Sequence, residues 1–434
     1  MCNSGRLASI NIERKELQKK FLTRESVAWA LYDWGNSAFP LSVLAVLFPL
    51  FLGSYWSAGD PGPAVTSRLT WATAVGSVIV SVMAPVLGAI ADSGGYRKRF
   101  LFVLTILGAI STAGLSLIGM GGWPQALVLF VMASMGYYSA AVFYDSLIVD
   151  VSHPRYYSLV SSLGLSLGYF GGAFLLTLHV WMMYSPASFG FEDASGVIRF
   201  AFVSVGVWWM IFLVPIMLMV RERRASVVIE GSVIRAAYAN LQKTFTKIRS
   251  YRNIFTFLIA YWLYIGGLFT VIFMAVNFGQ RLGFEDKDLV TALMITNYVG
   301  FPATLLFGLM AHRFGTRPAI YVGLAVYIAV VCWAVFLKDV RQFYAMSITI
   351  GLVQGGVQSI SRSLYAALIP KDLSGDFFGF YNMLTKFAHV LGPVLIGIVV
   401  AFTDEPKFIL VTVLPMFILG AVLLARVETR DATD

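Results

Sequence analysis

Apolar residues run along this chain in blocks of twenty or more, separated by short polar stretches. Twelve such blocks fall near 26–53, 68–91, 99–120, 124–149, 156–182, 200–220, 253–276, 288–311, 317–337, 341–367, 376–402 and 406–426. Each is long enough to cross a hydrocarbon core of about 30 Å as a helix rising 1.5 Å per residue. Runs such as FLFVLTILGAISTAGLSLIG show no two-residue alternation, so they do not read as the strands of a membrane barrel. The pattern predicts an all-α membrane protein with twelve transmembrane helices. Composition agrees: 58% of the 434 residues are hydrophobic and 13% are charged, where a soluble domain carries about 25% charged.

Charge adds orientation. The net charge of +9 could suggest a nucleic-acid partner in a soluble protein, but here the basic residues are sorted by side, which argues against one. The first segment, the even-numbered turns and the C-terminal tail hold 23 of the 32 Lys and Arg, and the opposite loops hold 7. Only Arg362 and Lys386 remain inside spans. By the positive-inside rule both termini are expected in the cytoplasm, which requires an even number of spans. Segment 1–25 has no short apolar core followed by a cleavage site, so no signal peptide is expected. The long basic stretch 221–252 divides the chain into bundles at 26–220 and 253–426, with a tail at 427–434. Within it Val233, Tyr238, Leu241, Phe245 and Ile248 recur at helical spacing among basic residues. That is an amphipathic linker suited to anionic lipids at the inner surface, or a solvated linker helix.

The two halves echo each other. GAIADSGGYRKRF at 88–100 follows span 2, and GLMAHRFGTRPAI at 308–320 follows span 8, which aligns Gly88 and Asp92 with Gly308 and His312. Span 4 ends in YDSL at 144–147 where span 10 ends in SRSL at 361–364, an offset of 217. GYFGG at 168–172 matches HVLGP at 389–393. Duplicated six-helix units of this kind place a solute site between them near the membrane centre.

The Gly-x-x-x-Asp turn with its basic tail at 88–99 resembles the loop between spans 2 and 3 of the major facilitator superfamily. WALYDWGNSAF at 29–39, LGYFGG at 167–172 and QGGVQSISRSLYAALIPKDLSGDFFGFYNMLTKFAHVLGP at 354–393 are similar to the Atg22-like, or UMF1, branch of it. The resemblance covers the transport core from span 1 to span 11. It implies the major facilitator fold, two pseudo-symmetric six-helix bundles working by alternating access, with spans 1, 4, 7 and 10 lining the cavity. It also implies a link to amino-acid efflux, in a bacterial inner membrane or, in a eukaryote, a vacuolar one. Span 7 departs from the family pattern. It reads AYWLYIGG, with Ile265, Gly266 and Gly267 where an acidic group is expected, while span 4 carries Asp145 where an amide is expected.

Ionisable and amide groups inside spans are costly and tend to face a cavity or a partner. Asp33 and Asn36 share a face of span 1, with Asp33 about 10 Å from the cytoplasmic end, a depth suited to a gate or to a structural helix–helix bond. Tyr138 and Asp145 lie on span 4, Tyr261 on span 7, and Gln354, Gln358 and Arg362 on span 10. Asn382, Lys386 and His389 share a face of span 11, where Lys386 either holds a substrate anion or snorkels to the interface. The substrate-binding candidates are therefore Asn36, Tyr138, Tyr261, Gln354, Gln358, Asn382, Lys386 and His389. The gate or coupling candidates are Asp33, Asp92, Asp145 and Arg362, the last two forming an expected ion pair. Cys332 reads as a small packed side chain, and His153 and His179 as loop and interface residues.

Four scattered histidines make no metal site, and no GxxxxGKS loop is present to hold ATP, so neither an enzyme nor a cofactor is expected. The leading reading is a monomeric secondary transporter of amino acids or related small metabolites, with proton coupling one option. A drug or siderophore exporter and a non-transporting receptor on the same fold are the alternatives. The charge sorting predicts that a reporter fused at Ser226 faces the cytoplasm and one at Ser188 the opposite side. The reverse pattern would remove the assigned orientation.

Overall fold

The computed structural model describes the backbone of residues 21–94, 96–222, 248–400 and 413–428, and their side chains except those of 89–94, 273, 274, 276–278, 280, 281 and 389–400. The first half comprises α1 (Arg24–Trp56), α2 (Gly62–Gly94), α3 (Arg97–Gly114), α4 (Trp123–Ser146), α5 (Tyr157–Tyr184) and α6 (Ala194–Met219). The second comprises α7 (Arg252–Arg281), α8 (Asp286–Phe314), α9 (Thr316–Ala334), α10 (Val340–Leu368), α11 (Ser374–Val400) and α12 (Leu414–Ala425). No strand occurs among the described residues. Nine of these helices, α1 to α9, are long and apolar enough to cross a membrane, and α10 and α11 run for 29 and 27 residues. The amphipathic stretch expected within 221–252 falls largely on 223–247, outside the described residues.

Caps explain where the helices begin. In α1 the Thr23 hydroxyl accepts from Ser26 N at 3.1 Å while Ser26 Oγ accepts from Thr23 N at 2.8 Å, closing a capping box. α6 starts at Ala194, earlier than its apolar run, because Asp193 Oδ1 accepts from Gly196 N at 2.9 Å and supports a polar first turn. α1 itself changes gauge. It is α-helical over Arg24–Asn36, then winds with wider π turns over Phe39–Leu47 and Leu52–Trp56. Pro40 and Pro49 lack an N–H and clash with the carbonyl four residues back, so the backbone widens to admit them.

Without a hydrophobic drive between helices in lipid, close approach and hydrogen bonds hold the bundle together. Gly164, Gly168, Gly171 and Gly172 line the face of α5 that meets α1. A Cβ on Gly172 would stand 2.9 Å from the Ser37 carbonyl oxygen, and one on Gly164 would stand 2.8 Å from both the Trp29 ring and the Tyr144 hydroxyl. Thus WALYDWGNSAF and LGYFGG, far apart in sequence, are two sides of one seam.

The halves meet along two equivalent seams, α2 with α11 and α5 with α8. Gly88 lies against the Gly375 carbonyl, and Gly308, its counterpart, lies against Ser162 and the Ser158 carbonyl. A Cβ on Gly379 would sit 2.9 Å from the Ala84 carbonyl oxygen. These contacts gather at one end of the bundle, which also carries Phe21 beside Tyr156, Tyr156 stacked on His312, and Tyr251 against Phe377. The beginning of α1, the turns 4–5, 8–9 and 10–11 and the beginning of α7 therefore share this end, hereafter the terminal end. The basic residues of the turns cap helices there. Lys98 Nζ donates to Val220 O at 2.5 Å and Met217 O at 2.9 Å at the end of α6, and Arg317 to Val427 O at 2.8 Å and Ala425 O at 3.1 Å at the end of α12.

One expectation is corrected. Cys332 is exposed on the outer surface of α9 rather than packed, because a span in lipid is apolar on every face. His179 is fully buried inside the first half near the end of α5, bonded to Ser204 Oγ at 2.8 Å.

Where α3 crosses α4, a Cβ on Gly136 would stand 2.6 Å from Gly108 N and 2.7 Å from the Leu104 carbonyl oxygen. Backbone cannot rotate away as a side chain can. Gly136→Val is therefore expected to cost at least about 1–3 kcal/mol, read as a lower melting temperature of the purified protein. Gly119→Ala, with nothing within 4 Å, is the neutral control.

Candidate functional site

The centre of the interface is a buried charge cluster. α4 ends at Ser146, turns at Leu147, and resumes for Ile148–Val151, so Asp145 stands in its last regular turn. Arg362 reaches across from α10. Its Nη1 donates to Asp145 Oδ1 at 3.0 Å, its Nε to Ser161 Oγ at 2.9 Å, and its Nη2 to the Ser161 carbonyl at 2.9 Å. Asp33 Oδ2 lies 3.7 Å from the same Nη2 and accepts from the Tyr144 hydroxyl at 3.0 Å. Asn382 on α11 donates to Asp145 Oδ2 at 3.1 Å. The guanidinium lies over Trp29, 4.9 Å from the ring centre, and Trp29 stacks on Tyr144 at 4.4 Å. Asp33, Asp145 and Arg362 are 5%, 7% and 8% exposed. One cation of the second half thus engages α1, α4 and α5 of the first. The expected Asp145–Arg362 pair is formed, with Asp33 attached to it.

A second tie lies nearer the terminal end. Arg97, 5% exposed, pairs with Asp150 at 2.7 Å and Glu222 at 3.2 Å, and donates to Ser374 Oγ in the other half at 2.7 Å. Just beyond the Arg362 cluster, away from the terminal end, Ser161 Oγ donates to the Ser359 carbonyl at 2.7 Å and Ser162 Oγ meets Ser359 Oγ at 3.0 Å. This end is closed by hydrogen-bonded contacts across the halves.

Further along the same interface sits Lys386. It is 5% exposed and its Nζ lies 2.6 Å from the centre of the Tyr138 ring. Among the described residues no carboxylate pairs with it and no acceptor takes its protons. The side chain crosses to α4 and does not snorkel. Tyr261 bonds Thr385 Oγ1 at 3.0 Å and stacks on Tyr381 at 4.3 Å. Gln354 and Gln358 both donate to the Tyr169 hydroxyl, at 3.0 and 3.5 Å. Asn36 is buried, and its Oδ1 has no donor among the described residues. Asn382, placed by sequence with the substrate candidates, belongs here to the charge cluster. The side chains of Asp92 and His389 lie outside the described residues. Among those described, no group of three or more His, Cys, Asp or Glu could hold a metal.

Sequence reading passed over Ser161, Tyr144, Tyr169, Asp150, Glu222 and Ser374, and treated Arg97 only as a topological charge. A signal existed for Asp150: YDSLIVDV carries a second acid five residues after Asp145, beside a basic turn that needs a counter-ion.

The fold of the bundle is shared by known structures. The proton:xylose symporter XylE, bound to 6-bromo-6-deoxy-D-glucose, superposes with a TM-score of 0.72 at 14% identity, over 93% of this chain and 95% of that one. The human organic anion transporter MFSD10 (TETRAN) superposes at 0.71 and 16%, over 92% and 99%. The fold is the major facilitator fold, so the chain is a multi-pass integral membrane protein. The family model described as "Vacuole effluxer Atg22 like" matches residues 62–156 and 150–434. A Bacillus subtilis (strain 168) protein described as the uncharacterized MFS-type transporter YxiO is 33% identical over 423 residues, 96% of this chain and 98% of its own. Autophagy-related protein 22 of Yarrowia lipolytica is 25% identical over 317 residues, 65% of this chain and about half (52%) of that longer protein. The chain belongs to the Atg22-like family of major facilitator transporters, and it is not an enzyme.

Removing one partner of a buried pair strands the other charge, at a cost of about 3–5 kcal/mol, which shifts a two-state equilibrium by more than a hundredfold. Ser162 is 1% exposed, so a Ser162→Cys reporter, in a background without Cys2 and Cys332, reacts with a water-soluble maleimide when the terminal end opens. Arg362→Ala is expected to raise that labelling rate about a hundredfold, and the swap Asp145→Arg with Arg362→Asp to reverse part of the rise. Unchanged labelling in Arg362→Ala would remove the cluster as a gate.

Proposed function

We propose that this protein is a secondary transporter that moves amino acids or related small metabolites by alternating access, driven by a solute or proton gradient. The observation that carries the substrate reading is Lys386. A buried ammonium over an aromatic ring, with no acid beside it among the described residues, is held at a cost that a transported carboxylate would offset. Tyr138 and Tyr261 supply aromatic walls, and the unmatched Asn36 carbonyl offers an acceptor for an amine or hydroxyl. The charge sorting puts the terminal end in the cytoplasm. The conformation is then closed to the cytoplasm, with Asp33, Asp145 and Arg362 as the inner gate. The family description names a vacuole effluxer, which favours movement toward the cytoplasm, and the Bacillus relative favours a bacterial inner membrane.

A ligand at a hundred times its Kd stabilises a folded protein by about 2.7 kcal/mol. In a thermal-shift screen, amino acids and related carboxylates are expected to raise the melting temperature of the native protein and to lose that effect in Lys386→Met. The same variant in the absence of ligand should melt about 1 °C or more higher, since it removes an unpaired buried charge worth about 1 kcal/mol or more. Equal ligand shifts in both proteins, or a drop in the ligand-free melting temperature, would take Lys386 out of the binding site.

A further inference from the structure

Tyr169 stands midway along α5, and its side chain reaches into the other half. Its ring fills a notch cut by two glycines on two helices. A Cβ on Gly300 of α8 would stand 3.2 Å from the ring, and one on Gly355 of α10 would overlap both the ring and the Thr304 hydroxyl. Its hydroxyl accepts from Gln354 at 3.0 Å and from Gln358 at 3.5 Å, and Tyr169, Gln354 and Gln358 are all half-buried. Along the α5–α10 contact the order from the terminal end is Arg362 on Ser161, Ser162 on Ser359, then Tyr169 on the two amides. Tyr169 therefore lies where the closed zone meets the level of Lys386 and the other polar candidates.

We propose that Tyr169 is the positioning residue through which substrate unlatches the halves: its phenol oxygen occupies the two glutamine amides until a polar group of the substrate replaces it. The reading rests on the alternating-access reading above and goes beyond it. A ligand shifts a conformational equilibrium only by binding one state better than the other. With the phenol in place each amide has an N–H taken up by it and α5 is held against α10. A substrate oxygen that takes those amide protons frees the phenol, and the last α5–α10 contact before the substrate level is lost. The empty carrier stays latched, which limits uncoupled leak. The notch makes the contact specific to an aromatic ring, since only glycine at 355 leaves room for it.

The test uses the Ser162→Cys labelling reporter with no substrate added. Tyr169→Phe keeps the ring in its notch and deletes the acceptor, and it is expected to raise the labelling rate about tenfold, as losing one to two net hydrogen bonds from the closed state should. In a Gln354→Leu, Gln358→Leu background the same change should add less than about twofold, because the partners are already gone. Gly355→Ala, which crowds the ring out, should act in the same direction as Tyr169→Phe. A purely packing role predicts native labelling in Tyr169→Phe, and that result, or an equal rise in both backgrounds, overturns the proposal. Arg362→Ala separates the two readings. If it raises labelling while Tyr169→Phe does not, the carrier reading stands and the latch falls.

Discussion

The structure turns on one guanidinium. Arg362 brings a permanent charge into an apolar bundle, and every direction its fork points must find an acceptor. Asp145 and Ser161 take its protons, Asp33 stands beside it, and Trp29 and Tyr144 cover its plane. A lysine could not do this, because a point charge on a flexible stem cannot address three donor directions while stacking on two rings. The density of WALYDWGNSAF follows. Trp29 and Asp33 serve the arginine, Tyr32 ties α3 and α6 through Thr105 and Trp209, and Trp34 and Ser37 press on the glycines of α5. A short motif appears in span 1 because one helix must meet that many neighbours at the level of the charge.

The scaffold is symmetric and its chemistry is not. Gly88 and Gly308 perform the same close approach in the two seams, and Lys98 and Arg317 close the equivalent helices α6 and α12. At 145 and 362 the halves diverge to an acid and a base. Near a twofold axis a residue meets its own counterpart. Identical charges there would only repel, so a duplicated chain gains a closing force only where its copies have become opposite. Each member also takes a second bond from the other half, Arg362 from Ser161 and Asp145 from Asn382.

The two interior cations divide the work. Arg362 has an acceptor for each of its three nitrogens and holds the halves together. Lys386 has no acceptor among the described residues, only the Tyr138 face. A fold that spends a buried charge without a partner departs from the rule that polar groups inside are paired, and such departures concentrate at functional sites. The same contrast separates Asn382, which is engaged in the cluster, from Asn36, whose carbonyl oxygen is open.

The sequence by itself determined the number and type of the elements and the pairing of position 145 with 362. Bilayer thickness dictates the length of an apolar run, and duplication leaves an offset that can be counted. Helix ends were legible to a few residues, missing where a polar cap such as Asp193 extends a helix past its apolar run. What a side chain meets was decided only by the tertiary structure. Cys332 and a core residue look alike in sequence, since lipid and protein interior are equally apolar. Tyr169 sits in an apolar segment like many other tyrosines, and its role exists only because Gly300, Gly355, Gln354 and Gln358 converge on it from two other helices. Arg97 reads as a topological charge until folding sets Asp150, Glu222 and Ser374 around it. Hydropathy along a chain is a one-dimensional quantity that the membrane imposes, whereas hydrogen-bond partners are fixed by which helix faces meet, and that is known only once the bundle has closed.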